Sequence, residues 1–209
     1  MKPSRVPAAT VNRLSLYLRA LERLQTRDVK VISSEQLAER CRVNPAQVRK
    51  DLAYFGEFGV RGVGYYTNEL LSEISKILGL NRSWNLALIG MGNLGSALVA
   101  HQSFANQGYH FVAVFDKDAR KIGRRVSLNL AIDSINDIVE TCRKKNVAIG
   151  VVATPPDESQ DVVDLLVTVP VKAILILAPV QVKAPPGIMI EHVDFTTKLD
   201  TLAFHLTSH

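Results

Sequence analysis

Apolar positions recur at two different periods along this chain, and the change of period divides it. In TVNRLSLYLRALERLQTR the apolar residues Val11, Leu14, Leu18, Leu21 and Leu24 fall at helical spacing, so one face is buried. A short extended piece, VKVI, follows. Ser33-Ser34-Glu35-Gln36 then reads as a capping box that opens a helix through Arg40. In CRVNPAQVRKDLAYFGEFG, Asn44 is a good N-cap, Pro45 suits the first helical position and Gln47 completes a second box. Val48, Leu52 and Phe55 would face the core of that third helix. Two short capped helices joined by a tight turn make a helix-turn-helix pattern, here over about Tyr17 to Gly56. GEFGVRGVGYY reads as a hairpin, or wing, with Arg61 at its tip. NELLSEISKILGL closes this part with a helix whose apolar residues are Leu70, Leu71, Ile74, Ile77 and Leu78.

From residue 86 the pattern switches to short, continuous apolar runs: LALI, HFVAVFD, NVAIGVVATPP, VKAILILAPV and GIMIEHVDF. Between them lie a glycine-rich helix start, a short strand near Val126–Leu130, a helix around Ile135–Lys144 and a helical DESQDVVDLLVTV. Strands that alternate with helices in this way predict a doubly wound parallel sheet. The expected fold is therefore α/β, a winged-helix domain followed by a Rossmann-like sheet. The expected boundaries are a DNA-binding domain at 1–79, a join at 80–84 (LNRSW), a nucleotide-binding domain at 85–195 and a last helix at 196–209. That helix carries Leu199, Leu202, Ala203 and Leu206 on one side, with Phe204 nearby, and has apolar surface to bury.

Composition changes little. The 209 residues are 47% hydrophobic and 22% charged, ordinary for a folded chain. No apolar run approaches membrane-spanning length and the N-terminus has no signal-peptide core, so no membrane partner is expected. Cys41 and Cys142 form no CxxC and have no histidine pair beside them, which argues against a metal site and fits the cytoplasm. Charge is more informative. The net charge is +5, and residues 1–80 hold 13 Lys/Arg against 8 Asp/Glu, while residues 81–209 hold 12 of each. The excess lies wholly in the helix-turn-helix part and suggests a polyanion partner, double-stranded DNA.

The sharpest signal is LALIGMGNLGSALVA. Gly90, Gly92 and Gly95 form G-x-G-x-x-G between a strand and a helix, the context in which this pattern marks a dinucleotide site. Gly90 turns tightly, Gly92 leaves room for a pyrophosphate, and Gly95 lets the helix pack on its strand. N–H groups from Met91 to Leu94, with Asn93 among them, lie at the helix start that would face the phosphates. Asp116 ends the next strand 21 positions after Gly95, where an acid contacts ribose hydroxyls and favours NAD(H) over NADP(H). Thr154-Pro155, at the carboxyl end of a later strand, should border the same crevice.

On the third helix, Gln47 can pair with adenine and Arg49 or Lys50 with guanine or phosphate; Tyr54 lies on an outer face. Three classes of function remain, one of them a cofactor-binding subunit whose N-terminal domain binds protein instead of DNA; the other two turn on the dinucleotide. One is a DNA-binding switch with a dinucleotide, NADH or NAD⁺, as ligand. The other is an NAD-dependent oxidoreductase with a basic appendage. The second needs a substrate domain and a proton donor. The five histidines show no recognisable catalytic spacing, so no catalytic residue is assigned.

Taken together, SSEQLAERCRVNPAQVRKDLAYFGEFGVRGVGY, IGMGNLGSAL, FDKDARKIG, PVKAILILAPV and EHVDF resemble the Rex family of redox-sensing transcriptional repressors, from about Val11 to Leu206. The resemblance implies a homodimer with a swapped C-terminal helix, which binds palindromic operators and releases them when NADH is bound. It adds Ser34 to the DNA-contacting residues and Lys117 to the nucleotide loop, and it sets Phe195 near the nicotinamide. It implies an interdomain switch in which Arg19 pairs with Asp194 of the other subunit, with His101 standing where the family usually has tyrosine. Ile176 stands where the family usually has asparagine.

Overall fold

The computed structural model describes residues 6–207. The first five residues of the expected DNA-binding domain and the last two of the expected C-terminal helix lie outside that range. The chain divides between Arg82 and Ser83 into two compact units, each with its own core.

The first unit contains α1 (Ala8–Gln25), β1 (Val31–Ile32), α2 (Ser34–Cys41), α3 (Pro45–Ala53), β2 (Tyr65–Tyr66) and α4 (Thr67–Ile77). The capping box at Ser33 is formed in both directions, since Ser33 Oγ accepts from the Gln36 N–H and the Gln36 side chain accepts from the Ser33 N–H. Asn44 caps α3 through the Ala46 N–H at 2.8 Å. Between α2 and α3 the chain turns at Arg42, which takes the left-handed conformation and ends α2. Leu14, Leu18, Leu21 and Leu24 of α1 pack with Leu37, Val48, Leu52, Leu70 and Ile74. Helix α3 stops at Ala53, so Phe55 packs on the core from just beyond it. Strands β1 and β2 pair antiparallel. Just before β2, Val60 and Gly64 bridge around Arg61, Gly62 and Val63, with both N–H groups of that pair donating to the opposite carbonyl at 2.8–2.9 Å.

The second unit is a seven-stranded sheet of β3 (Trp84–Ile89), β4 (Tyr109–Asp116), β5 (Arg125–Ser127), β6 (Leu130–Ser134), β7 (Ile149–Val152), β8 (Ala173–Ile176) and β9 (Met189–His192). Its helices are α5 (Asn93–Ala100), the short α6 (Ser103–Asn106), α7 (Ile138–Lys144), α8 (Ser159–Leu166) and α9 (Phe195–Thr207). The spatial order is β5-β6-β4-β3-β7-β8-β9, with only the edge strand β5 antiparallel. Without β5 this is the 3-2-1-4-5-6 order of a dinucleotide-binding sheet, whose direction reverses between β3 and β7.

Several boundaries differ from the sequence reading. The strand expected near Val126–Leu130 is a hairpin, β5 and β6, and it is β6, Leu130–Ser134, that joins the parallel sheet. Its core-facing pair Leu130 and Ile132 is only two residues long, too short a run to fix the register. Trp84, placed in the join, already opens β3 through its N–H to Gly108. Phe195, placed before the last helix, is the first residue of α9 because Asp194 caps it. The connection from β8 to β9 carries no helix.

Candidate nucleotide cleft and nucleic-acid interface

A cleft of about 530 Å³ opens at the carboxyl ends of β3 and β7, at the reversal point. Gly90, Gly92, Leu94, Asp116, Lys117, Thr154 and Pro155 all line it. Gly90 has φ +99°, and a Cβ there would meet the Ala153 carbonyl at 2.8 Å. At Gly95 a Cβ would lie 2.2 Å from the Gly90 carbonyl oxygen, so α5 rests on its strand only because no side chain intervenes. A Cβ on Gly92 would point into open space. No side chain caps α5. Its first-turn donors are thus left to a ligand or water.

Asp116 is 6% exposed and more heavily engaged than its place in the motif suggests. One oxygen accepts from the Met91 N–H at 2.9 Å and from Lys121 Nζ at 2.7 Å, and the other from the Asp118 N–H at 2.8 Å. Burial opposes its ionisation, but these hydrogen bonds outweigh it and hold the carboxyl below the usual range. The Met91 N–H therefore braces the loop on Asp116. Across the mouth Lys117 pairs with Glu158 at 2.6 Å. Thr154 Oγ1 lies 3.4 Å from the buried Ser159 Oγ, which donates to the Pro155 carbonyl and ties this turn to α8.

The remaining sequence candidates lie elsewhere. Asn93 is exposed at the start of α5, and Gly95 is buried beneath it. His101 ends α5, with its ring edge-on to Phe104 and Nδ1 2.6 Å from Ser103 Oγ. Ile176 is fully buried in the sheet core. Phe195 is 59% exposed on α9, along with Leu199, Leu202, Phe204 and Leu206. Asp194 accepts from the Thr197 hydroxyl and the Thr196 N–H, both at 2.8 Å, and these bonds hold its carboxyl below the usual range. Lys121, Ser159 and Glu158 were missed; of these only Lys121, within FDKDARKIG, sits close enough to Asp116 in sequence to have been suspected.

In the first unit a groove of about 660 Å³ runs between α3 and the wing, lined by Ser34, Arg49 and Arg61 among others. Arg49 reaches across it, donating to Ser34 Oγ at 2.7 Å and pairing with Glu35 at 3.1 Å. Lys50 and Tyr54 are exposed beside it, and Arg19 is exposed on α1. Gln47 is not fully free for a base edge, because its amide N–H donates to Asp51 at 2.7 Å. Asp51 is a hub that the apolar pattern could not show. It is fully buried on α3 and accepts from Arg13 twice, at 2.6 and 2.7 Å. Tyr17 donates to it at 2.8 Å and Thr10 at 3.1 Å. Those bonds outweigh the cost of burial and hold the carboxyl at about 2. Burial, then the bond to Asp51, pushes the Tyr17 phenol well up. Helix α3 is thus pinned to α1 by charge as well as by packing.

Among the described residues no cluster of His, Cys, Asp or Glu has the arrangement to hold a metal, and no helix is long and apolar enough to cross a membrane. Residues 5–53 match the family model described as "Putative DNA-binding protein N-terminus", and residues 81–180 match that of a CoA binding domain. Fold and sites define a class, the DNA-binding regulators built from a winged helix and a nucleotide-binding Rossmann-like domain. A relative from Syntrophobacter fumaroxidans, a redox-sensing transcriptional repressor Rex, is 52% identical over 99% of both chains. Two solved structures of RSP, one bound to β-NAD⁺ and operator DNA and one to β-NADH, align with TM-scores of 0.93 and 0.89. They are 34% and 33% identical, covering 98% of this chain and 94% and 96% of theirs. The chain belongs to the Rex family of redox-sensing transcriptional repressors.

Proposed function

We propose that this chain, as a cytoplasmic homodimer, represses transcription from palindromic operators and releases them when NADH fills the cleft at Gly90–Gly95. The observation that carries this reading is the cleft itself, where Gly92 faces open space and Asp116 and Thr154-Pro155 line one crevice of about 530 Å³. A basic winged-helix unit in the same chain supplies the output. The relative RSP, with its NAD⁺–operator and NADH complexes, supports the same assignment.

In this reading the loop Gly90, Met91, Gly92, Asn93, Leu94 and Gly95 holds the pyrophosphate, Asp116 and Lys117 the adenosine end, and Thr154 and Pro155 the far side. Ser34, Arg49, Lys50, Tyr54 and Arg61 contact DNA, with Gln47 reading a base through the part of its amide that Asp51 leaves free. The ligand is bound without turnover. The acid–base groups lining the cleft are already paired, Asp116 with Lys121, Lys117 with Glu158 and Asp118 with Arg120. The apolar stripe Phe195, Leu199, Leu202 and Leu206 is left bare on a single chain and supports a second copy as its cover. Phe195 of that copy would wall the nicotinamide and disfavour its cationic, oxidised form through desolvation. Arg19, His101 and Asp194 would couple this end of the site to the winged helices.

Dimeric recognition requires half-sites one helical turn apart or a multiple, so a modest rotation of the subunits is enough to break it. Coupling between two such sites typically amounts to about 5–150-fold in affinity. The test is operator binding at fixed salt, titrated with NADH and separately with NAD⁺. NADH should weaken binding within that range while NAD⁺ leaves it intact. An operator affinity that saturating NADH does not change would refute the sensor reading.

A further inference from the structure

The reach of Lys121 into the cleft gives the adenosine end of the site a second selecting group. Asp116 and Lys121 both line the cleft and lie 2.7 Å apart. An ionised carboxylate offers about four acceptor positions. Three on Asp116 are filled, by the N–H groups of Met91 and Asp118 and by Lys121. The oxygen facing Asp118 keeps one vacant acceptor position. Lys121 Nζ carries three donors, of which the pair uses one. The other cations of this loop are paired with different carboxylates, Lys117 with Glu158 and Arg120 with Asp118. The charge that Asp116 alone masks is therefore that of Lys121.

We propose that Asp116 and Lys121 act as one net-neutral reader of a vicinal diol, in which Lys121 determines specificity and is a phosphate-binding cation held masked. A ribose hydroxyl would donate to the vacant position on Asp116, while its oxygen accepts from Lys121. A 2′-phosphate would bring about two negative charges against a carboxylate that two backbone N–H groups prevent from turning away. With Asp116 neutral, the same Lys121 would face that phosphate unpaired. Selection thus depends on the pair rather than on the acid alone. The inference rests on the reading that a dinucleotide occupies this cleft.

The experiment is calorimetric titration of the full-length protein with NADH and with NADPH, which differ in the 2′-phosphate. Wild type should bind NADH and discriminate strongly against NADPH. Asp116→Asn keeps an oxygen for one of the two backbone donors and removes the charge, and should gain at least about tenfold for NADPH, the size of one charge-assisted hydrogen bond. Adding Lys121→Met to that variant should remove the gain. Lys121→Met alone should weaken NADH about tenfold without admitting NADPH, and Lys121→Arg should restore NADH binding. If the double variant binds NADPH as well as Asp116→Asn does, or if Lys121→Met leaves both affinities unchanged, the proposal is overturned. Should Asp116→Asn fail to fold, the Lys121 variants decide the matter by themselves. A wild type that binds neither dinucleotide would instead overturn the underlying assignment of the cleft.

Discussion

Replacing Asp51 by asparagine should loosen the winged-helix unit while leaving the sheet intact. The carboxylate is wholly buried and accepts five hydrogen bonds from Arg13, Tyr17, Thr10 and Gln47. An amide of the same shape offers one acceptor oxygen and turns an NH₂ group toward donors. Two magnitudes bound the cost. Lowering the Asp51 carboxyl from 3.8 to about 2 corresponds to about 2 kcal/mol, at 1.36 kcal/mol per unit. Removing one partner of a buried ion pair costs about 3–5 kcal/mol, and Arg13, with a side chain 24% exposed, recovers some hydration and brings the loss toward the lower figure. We therefore expect about 2–4 kcal/mol. For a unit of this size the whole stability is about 4–12 kcal/mol, so the fraction lost is large.

The assay uses the separation of the two units. Trp84, the only tryptophan, lies on β3, so its fluorescence follows the sheet, while helical ellipticity follows α1 to α4 as well. With a urea dependence of ~1 kcal/mol/M, the early helical transition of Asp51→Asn should fall by about 2–4 M, with the tryptophan transition unmoved. A pH series adds a second arm. Asp51 has a depressed folded value, so its contribution is fully present above about pH 4 and disappears as pH falls toward 2. The wild type should lose about 2 kcal/mol across that window, and Asp51→Asn should not. A midpoint shift below about 0.5 M, or the same acid slope in both proteins, would show that the hub does not stabilise the unit.

Gly92→Ala should retain the wild-type melting temperature but bind NADH more weakly, since its Cβ enters only the open cleft; Gly95→Ala should also lose about 1–3 kcal/mol of stability because its Cβ overlaps the Gly90 carbonyl. Leu202→Glu, on the bare stripe of α9, should convert dimer to monomer in sedimentation velocity and weaken operator binding in parallel. Lys50→Ala should lower the slope of log affinity against log salt by about one, as for loss of a phosphate contact. Glu35→Gln should raise operator affinity by a few-fold, up to about fivefold, because it frees Arg49 from an exposed ion pair worth about 1 kcal/mol or less.

What was legible in the sequence and what was not follows from the range of the interactions. The glycine turn could be read because each requirement is local to a few residues. Gly90 needs a positive φ, and Gly95 needs a missing Cβ, both set by the adjacent strand and helix. The caps at Ser33 and Asn44 were readable for the same reason, as each oxygen bonds within three residues; the second box expected at Gln47 is not formed, because that side chain bonds Asp51 instead. Asp51 was not, because its partners Thr10, Arg13 and Tyr17 lie 34 to 41 positions away, on a face of α1 that an apolar count treats as polar and solvated. Lys121 falls between the two cases, five positions from Asp116 and in plain view, but with nothing in the pattern to separate it from Lys117 and Arg120.

That difference determines where function is built. In the proposed reading the cleft's glycines leave room for a dinucleotide, while the choice of dinucleotide would depend on how charge is paired around Asp116, and one-dimensional spacing does not carry that pairing. The same holds on the DNA side. Helix α3, the proposed recognition helix, could be placed from its cap, yet Arg49 is already held by Ser34 and Glu35, and Gln47 by Asp51. Binding DNA must therefore exchange internal partners for phosphate and base edges, and only the surplus counts toward affinity. In the proposed reading Arg49 begins in a modest internal pair, which lowers its net gain on DNA, and a ligand-driven coupling of typically about 1–3 kcal/mol is of comparable size.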